Sequence, residues 1–155
     1  MSIPDIDAWI KGQPDAIIVA LTIMGEARGE DQQGRQMVAS VIMTRVAVAA
    51  AHRAKYRSAY WWGETPREVC LKHGQFSCWL ESDPNRVKMQ GFLAHPLWAE
   101  VLETARAAIG GRLPDQAHGA THYLDPQAVK IKPNWATPAN QVAAHLRHVF
   151  YRVPS

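Results

Sequence analysis

Apolar residues in the first third of the chain recur at the spacing of an α-helix. Ile17, Ile18, Leu21 and Met24 share one helical face, Pro14 suits a first helical position, and Gly29 suits a place just past a helix end. The pattern predicts a helix over about 14–28. Beyond Gly34, the stripe Met37, Val38, Val41, Ile42, Arg45 and Val46 predicts a second, more buried helix, whose end is lost in the alanine-rich stretch that follows. Thr65-Pro66-Arg67-Glu68 joins an N-cap hydroxyl, a first-turn proline and a glutamate three places after the cap, so a short helix is expected to start there and stop at Gly74. Pro96 opens another, with Leu97, Val101, Leu102, Ala105 and Ile109 on one face and Gly110-Gly111 at its end. From Gly119 the character changes. Residues 119–124 and 148–153 are short, aromatic and β-branched, separated by proline and asparagine, and read as strands or extended loops. The expectation is a mainly α (α+β) fold, one domain over 1–155, with a small extended or β region late in the chain.

Composition narrows the function classes only a little. With 155 residues, 47% of them hydrophobic, the chain can bury a core, which excludes wholesale disorder. No unbroken apolar run approaches the ~20 residues that cross a bilayer, so no stable membrane insertion is expected. The opening Met1-Ser2-Ile3-Pro4-Asp5 lacks a secretory leader, so the chain is expected to remain in the cytoplasm in which it is made. Cys70 and Cys78 are too few for a disulfide framework and are expected as free thiols in reducing cytosol, a bridge after export remaining open. The net charge of +3 suits any polyanion without choosing among nucleic acid, acidic lipid and cell wall.

Candidate chemistry concentrates in Gly25-Glu26-Ala27-Arg28-Gly29-Glu30. If the first helix reaches Arg28, Glu26 sits in its last turn, where the negative end of the helix dipole and the nearby Glu30 both favour a protonated, proton-donating carboxyl. An Arg28–Glu26 pair would do the reverse, so the direction depends on where Arg28 points. On spacing alone, these are equally the solvated charges of a helix end.

A resemblance adds to this reading. The Gly25–Glu30 segment, then Gly34, Val38-Ala39-Ser40-Val41-Ile42 and Arg45-Val46, resembles the opening motif of the SleB cell wall hydrolases, a family that includes spore cortex-lytic enzymes and phage endolysins. Gln75-Phe76-Ser77-Cys78 is similar to its central segment, and Thr65 to Cys70 to the helix before it. Asp115 and Gly119-Ala120-Thr121-His122-Tyr123 resemble its Gly-Ala strand, Asp125-Pro126 the turn after it, and Trp135 and His148-Val149-Phe150-Tyr151 its closing residues. The motifs keep the family's order from about residue 17 to 151. Three features depart from it: a longer stretch 47–63 carrying Tyr56, Tyr60, Trp61 and Trp62, which would add a wall to the groove; His122 in place of an aromatic residue; and Thr44 in place of asparagine.

The resemblance implies a lysozyme-like fold, activity on peptidoglycan glycan strands, and Glu26 as the catalytic glutamate. Hydrolysis by either stereochemical route usually needs two carboxyl groups. A lytic transglycosylase needs one, because the sugar's own 6-hydroxyl attacks and one glutamate donates and then accepts the proton. Glu26 is expected to do both. Glu30 is the leading second carboxylate if water attacks instead, with Asp31, Asp83 and Asp125 behind it. Gln75, Phe76, Ser77, Thr121, His122, Tyr123 and Trp135 are the expected substrate contacts, each with a rival core role. Arg28, Cys78 and His148 are expected to support the site structurally. An endolysin of this kind works as a monomer, without cofactor, from the host cytoplasm, reaching the wall once a holin has opened the membrane.

Rivals remain open. His118-x3-His122 and His145-x2-His148 have metal-like spacing, as in a zinc amidase, but lack a helix under the first pair and a third ligand at fixed spacing, so no metal is expected. Cys78 with a histidine base would make a cysteine amidase. A non-catalytic wall-binding module is the third alternative. Nucleic acid is not expected as a partner, because the basic residues are dispersed and no binding motif appears.

Overall fold

The most apolar helix of the chain is its central strut. In the computed structural model, which describes residues 3–155, five helices surround a core: α1 (Ile3–Lys11), α2 (Asp15–Ala27), α3 (Gln32–Tyr56), α4 (Pro66–Leu71) and α5 (Trp98–Ile109). Every residue of α2 from Ile18 to Met24 is fully buried, which is how a helix apolar all round must sit. Ile6 and Ile10 of α1, Val38 and Ile42 of α3, Val69 and Cys70 of α4, and Val101, Ala105 and Ala108 of α5 close around it.

Three late strands form an antiparallel sheet of order β1-β3-β2, with β1 at His122–Leu124, β2 at Gln141–His145 and β3 at His148–Tyr151. Tyr123 faces Phe150 across the β1–β3 ladder. The alternation of side chains along a strand gives the sheet two distinct faces. Phe150 packs with Met37 and Val41 of α3, docking one face on the helices. Leu124, Tyr151 and Ala136 form a separate small cluster on the other, with Trp135, Val149 and Val153 around it.

The chain is mainly α with a small late sheet, as expected, and the predicted helix starts agree with the observed ones. Asp31 caps α3 by accepting from the Gly34 amide at 2.8 Å, and Thr65 caps α4 by accepting from Glu68 at 3.1 Å. Three features were not expected. Helix α1 and strand β2 were not anticipated, and α4 stops at Leu71, before Gly74. Helix α3 is long and apolar enough by length and composition to cross a bilayer, yet its buried residues from Gly34 to Ala49 lie in the protein core. Both cysteines are free and buried.

Between α4 and α5 the chain runs through short 3-10 turns at Ser77–Trp79, Arg86–Lys88 and Gln90–Ala94. Side chains hold this irregular stretch to the helices. The Trp79 indole donates to Thr22 Oγ1 at 3.0 Å, Arg86 donates to the Trp79 carbonyl at 2.6 Å, and Arg28 donates to Asn85 Oδ1 at 2.7 Å. Gly25 permits the closest approach: a Cβ there would lie 2.5 Å from Cys78 Cβ and 2.8 Å from its sulfur. Gly25→Ala is therefore expected to destabilise the protein by about 1–3 kcal/mol, the usual cost of overpacking, although alanine is the better helix former. Urea unfolding would measure it, and an unchanged midpoint would remove Gly25 as the contact that seats the Cys78 segment.

Candidate active site

Glu26 lies in the last turn of α2, one residue after Gly25, so the close seating of Cys78 brings the 75–78 segment directly to its carboxyl group. Ser77 Oγ donates to Glu26 Oε2 at 3.4 Å, and the Cys78 amide donates to the same oxygen at 3.3 Å. From β1, the Tyr123 hydroxyl donates to Oε1 at 2.9 Å. Two segments 45 or more residues apart thus converge on one carboxyl group.

Burial raises the Glu26 pKa, and the donors from Tyr123, Cys78 and Ser77 oppose that rise without cancelling it. The cause differs from the expected one. Neither the helix end nor Glu30 is the principal source; loss of water around the carboxyl is. Arg28, whose direction was open, points away: it bonds the Met24 carbonyl and Asn85 and lies 4.9 Å from the Phe92 ring centroid. Glu26 keeps neutral donors around it and tends to hold its proton, the condition of a general acid.

The other nearby carboxylates have different engagements. Glu30 Oε1 is buried 3.1 Å from His148 Nδ1, without the alignment of a hydrogen bond. Burial lowers the His148 pKa despite Glu30, so the ring is neutral at neutral pH. Asp31 caps α3 and meets His145 Nε2 at 2.7 Å. Asp83 accepts from the Asn85 amide, and Asp125 from the Gln127 amide.

The structure separates the expected substrate contacts into groups. Ser77 and Tyr123 reach Glu26 directly. Gln75 turns its amide oxygen to Arg45, 3.2 Å away. Phe76 is only 2% exposed, so it is a wall of the core and offers no face to a sugar. Thr121 is likewise buried, its hydroxyl accepting from the Val153 amide at 2.9 Å. His122 and Trp135 meet each other at 4.7 Å between ring centroids, and Trp135 stacks edge-on to Tyr151 at 5.3 Å. They belong to the sheet face opposite Tyr123, as the period-2 alternation of His122 and Tyr123 requires. His148 lies beside Tyr123, with ring centroids 5.1 Å apart.

Arg45 is the residue that sequence reasoning left out of the site. Its guanidinium is buried, donates from Nε to the Thr121 carbonyl at 2.7 Å and from Nη1 to Gln75, and lies 5.2 and 5.1 Å from the ring centroids of Trp62 and Phe76. Trp62 returns an indole bond to the Arg45 carbonyl at 3.0 Å. Burial pulls the Arg45 pKa down to about 10, still fully charged at neutral pH, and the cation contributes to pulling His122 down to about 4, behind the larger effect of burial. The available signal was its place inside an otherwise apolar helical stripe.

The rival chemistries find little footing. Burial pushes Cys70 up to about 12, and burial together with Glu26 raises Cys78 well above the ordinary thiol value, so neither is a ready thiolate. His145 and His148 face different carboxylates, and among the described residues no group of three or more His, Cys, Asp or Glu side chains is placed to hold a metal ion.

A largely buried carboxyl with donors converging on it, set in a helical body with a small late sheet, is an arrangement suited to an enzyme site. The family model described as Cell Wall Hydrolase matches residues 29–151, and the chain belongs to that family, the SleB-type cell wall hydrolases. Its members act as enzymes on peptidoglycan, and that general activity is the one supported for this chain. The matched span begins at residue 29, just after Glu26. No curated protein and no solved structure matched the chain.

A raised carboxyl pKa also has a stability signature. As pH rises above the ordinary 4.5, the unfolded chain releases the Glu26 proton while the folded chain retains it, so folding loses stability until the raised value is passed. Glu26→Gln has no such titration. Its melting temperature relative to wild type is expected to rise across that window and then level off; a difference independent of pH would show that Glu26 is not perturbed.

Proposed function

We propose that this protein cuts the glycan strand of peptidoglycan as a lytic transglycosylase, with Glu26 as both acid and base. The observation that carries the reading is that burial favours the protonated form of Glu26, which is served by neutral donors, while Glu30 is turned to His148, Asp31 to His145 and the α3 cap, and Asp83 and Asp125 to backbone amides. Protonated Glu26 gives its proton to the glycosidic oxygen as the C1–O bond breaks. The muramic 6-hydroxyl oxygen then bonds to C1, and its proton returns to the Glu26 carboxylate. The products are a free hydroxyl on one fragment and a 1,6-anhydro end on the other, with no water consumed. Tyr123, Ser77 and the Cys78 amide stabilise the carboxylate that exists between the two transfers.

In the cell the same reading makes the protein an endolysin that reaches the wall after a holin opens the membrane, with its net charge of +3 drawing it to an anionic surface. Expression together with a holin is then expected to lyse the culture, and expression alone is not.

Mass spectrometry of fragments released from purified peptidoglycan tests the chemistry. Anhydro-muramyl ends are expected from wild type, with a loss of at least about a hundredfold in Glu26→Gln, the scale of a missing general acid. Reducing ends that depend on Glu26 would replace transglycosylation by hydrolysis, and free stem peptides would overturn glycan cleavage altogether. The pH profile supplies a second check. Activity falls as pH rises through the Glu26 pKa, and Tyr123→Phe removes a donor that favours the carboxylate, so its falling limb is expected at higher pH than wild type. A limb at the same or lower pH would remove Tyr123 from that role.

A further inference from the structure

The stretch 47–63 does more than lengthen α3. It carries the chain to Tyr60 and Trp61, and Trp61, although a tryptophan, is 52% exposed. Its ring is propped rather than covered, 5.4 Å from Trp62 and 6.2 Å from Tyr60 between centroids. Beside it lies a cavity of about 500 Å³, walled by Trp61, Glu64, Arg67 and Glu68 and extending to Leu71, Lys72 and His73. Those last three residues also line a second cavity of about 340 Å³, which continues past Lys11 and Arg86 over Phe76 and Trp79. The two cavities therefore abut along the end of α4. Neither includes Glu26, Ser77 or Tyr123.

One end of this groove is aromatic and the other cationic. Lys11 and Lys72 form no ion pair among the described residues, whereas Arg86 is already committed to Asp7 and to the Trp79 carbonyl. An exposed indole suits the apolar face of a sugar ring, and free ammonium groups suit discrete carboxylates. A polyphosphate would instead run the length of the groove past Glu68, which repels it.

We propose that this groove is a second, non-catalytic site for peptidoglycan, seating a sugar of the glycan strand on Trp61 and the carboxylates of its stem peptide on Lys72 and Lys11. The inference rests on the proposed substrate but not on which bond is cut. A site that shares no residue with the Glu26 cluster tethers the enzyme to the wall, so that each cut strand is followed by another encounter at high local concentration.

The test uses the full chain carrying Glu26→Gln, which binds without digesting, sedimented with insoluble purified peptidoglycan. Adding Trp61→Ala and Lys72→Ala, both exposed positions, is expected to weaken retention by about tenfold or more, as loss of an aromatic anchor and a charge contact does. In the presence of Glu26, the same two substitutions are expected to leave cleavage of short soluble glycan fragments unchanged. Removing the stem peptides from the peptidoglycan is expected to reproduce the weakening in the unsubstituted groove. Equal retention with and without the two substitutions overturns the site, as does displacement by RNA at concentrations that leave a Trp61→Ala, Lys72→Ala protein bound. Absence of glycan cleavage by the wild type with groove-dependent retention intact would instead overturn the proposed reaction and leave the site standing.

Discussion

A buried guanidinium that pairs with no carboxylate among the described residues holds the two sides of this site together. Taking Arg45 out of water is costly, and the cost is offset by the Thr121 carbonyl just before β1, an amide oxygen from Gln75 and the faces of Trp62 and Phe76. These groups come from three separate parts of the chain, Gln75 and Phe76 being neighbours. Thr121 precedes the tyrosine that reaches Glu26, and Gln75 precedes the serine and the amide that reach it from the other side. If the cation moved, both approaches to Glu26 would lose their anchorage together. The absence of an acidic partner matters as well: a carboxylate beside Arg45 would quench its field, and as it stands Glu26 lies within that field.

The acid itself is made by exclusion of water more than by neighbouring charge. A helix as apolar as α2 has to be central, and a residue in its last turn is carried inward with it. Glu26 thereby becomes buried at the point where the helix opens on to the 75–78 segment. The donors around it keep its carboxylate form accessible, so the group can both hold and release a proton. A group with either influence alone would be a weaker catalyst: burial without donors gives an acid reluctant to ionise, and donors without burial give an ordinary surface carboxylate. Glu30, four residues on, illustrates how local this is, because past the end of α2 it is turned to His148 and takes no part in the contacts around Glu26.

Much of the scaffold was legible because its signals are local. The Thr65 cap, the Gly110-Gly111 stop and the apolar faces of α2 and α5 are set by neighbours within a turn or two. Strand β2 was not, since Gln141–His145 is largely exposed and is a strand only because β3 offers it an edge. Helix α1 carried a readable spacing in Ile6, Trp9 and Ile10 that the proline and acidic residues before it obscured. Within the site, Glu26, Ser77 and Tyr123 share no sequence proximity, and their grouping came from family resemblance, whereas the source of the acid's perturbation could be found only in the packing. Phe76 and Thr121 show the converse: residue type suggested contact with a ligand, and burial withdrew them from it.

Helix α3 is one unbroken rod of 25 residues, buried along one side as far as Ala49 and exposed over its last turns. Arg45 at its middle holds Thr121 and Gln75, while its far end is closed by Arg57 in a left-handed turn and leads into the aromatic stretch. The chain then folds back, so that Trp62 bonds the Arg45 carbonyl and packs against its guanidinium. The far end of the rod is therefore tied back to its middle, and any change of length between Arg45 and Trp62 has to preserve that return contact.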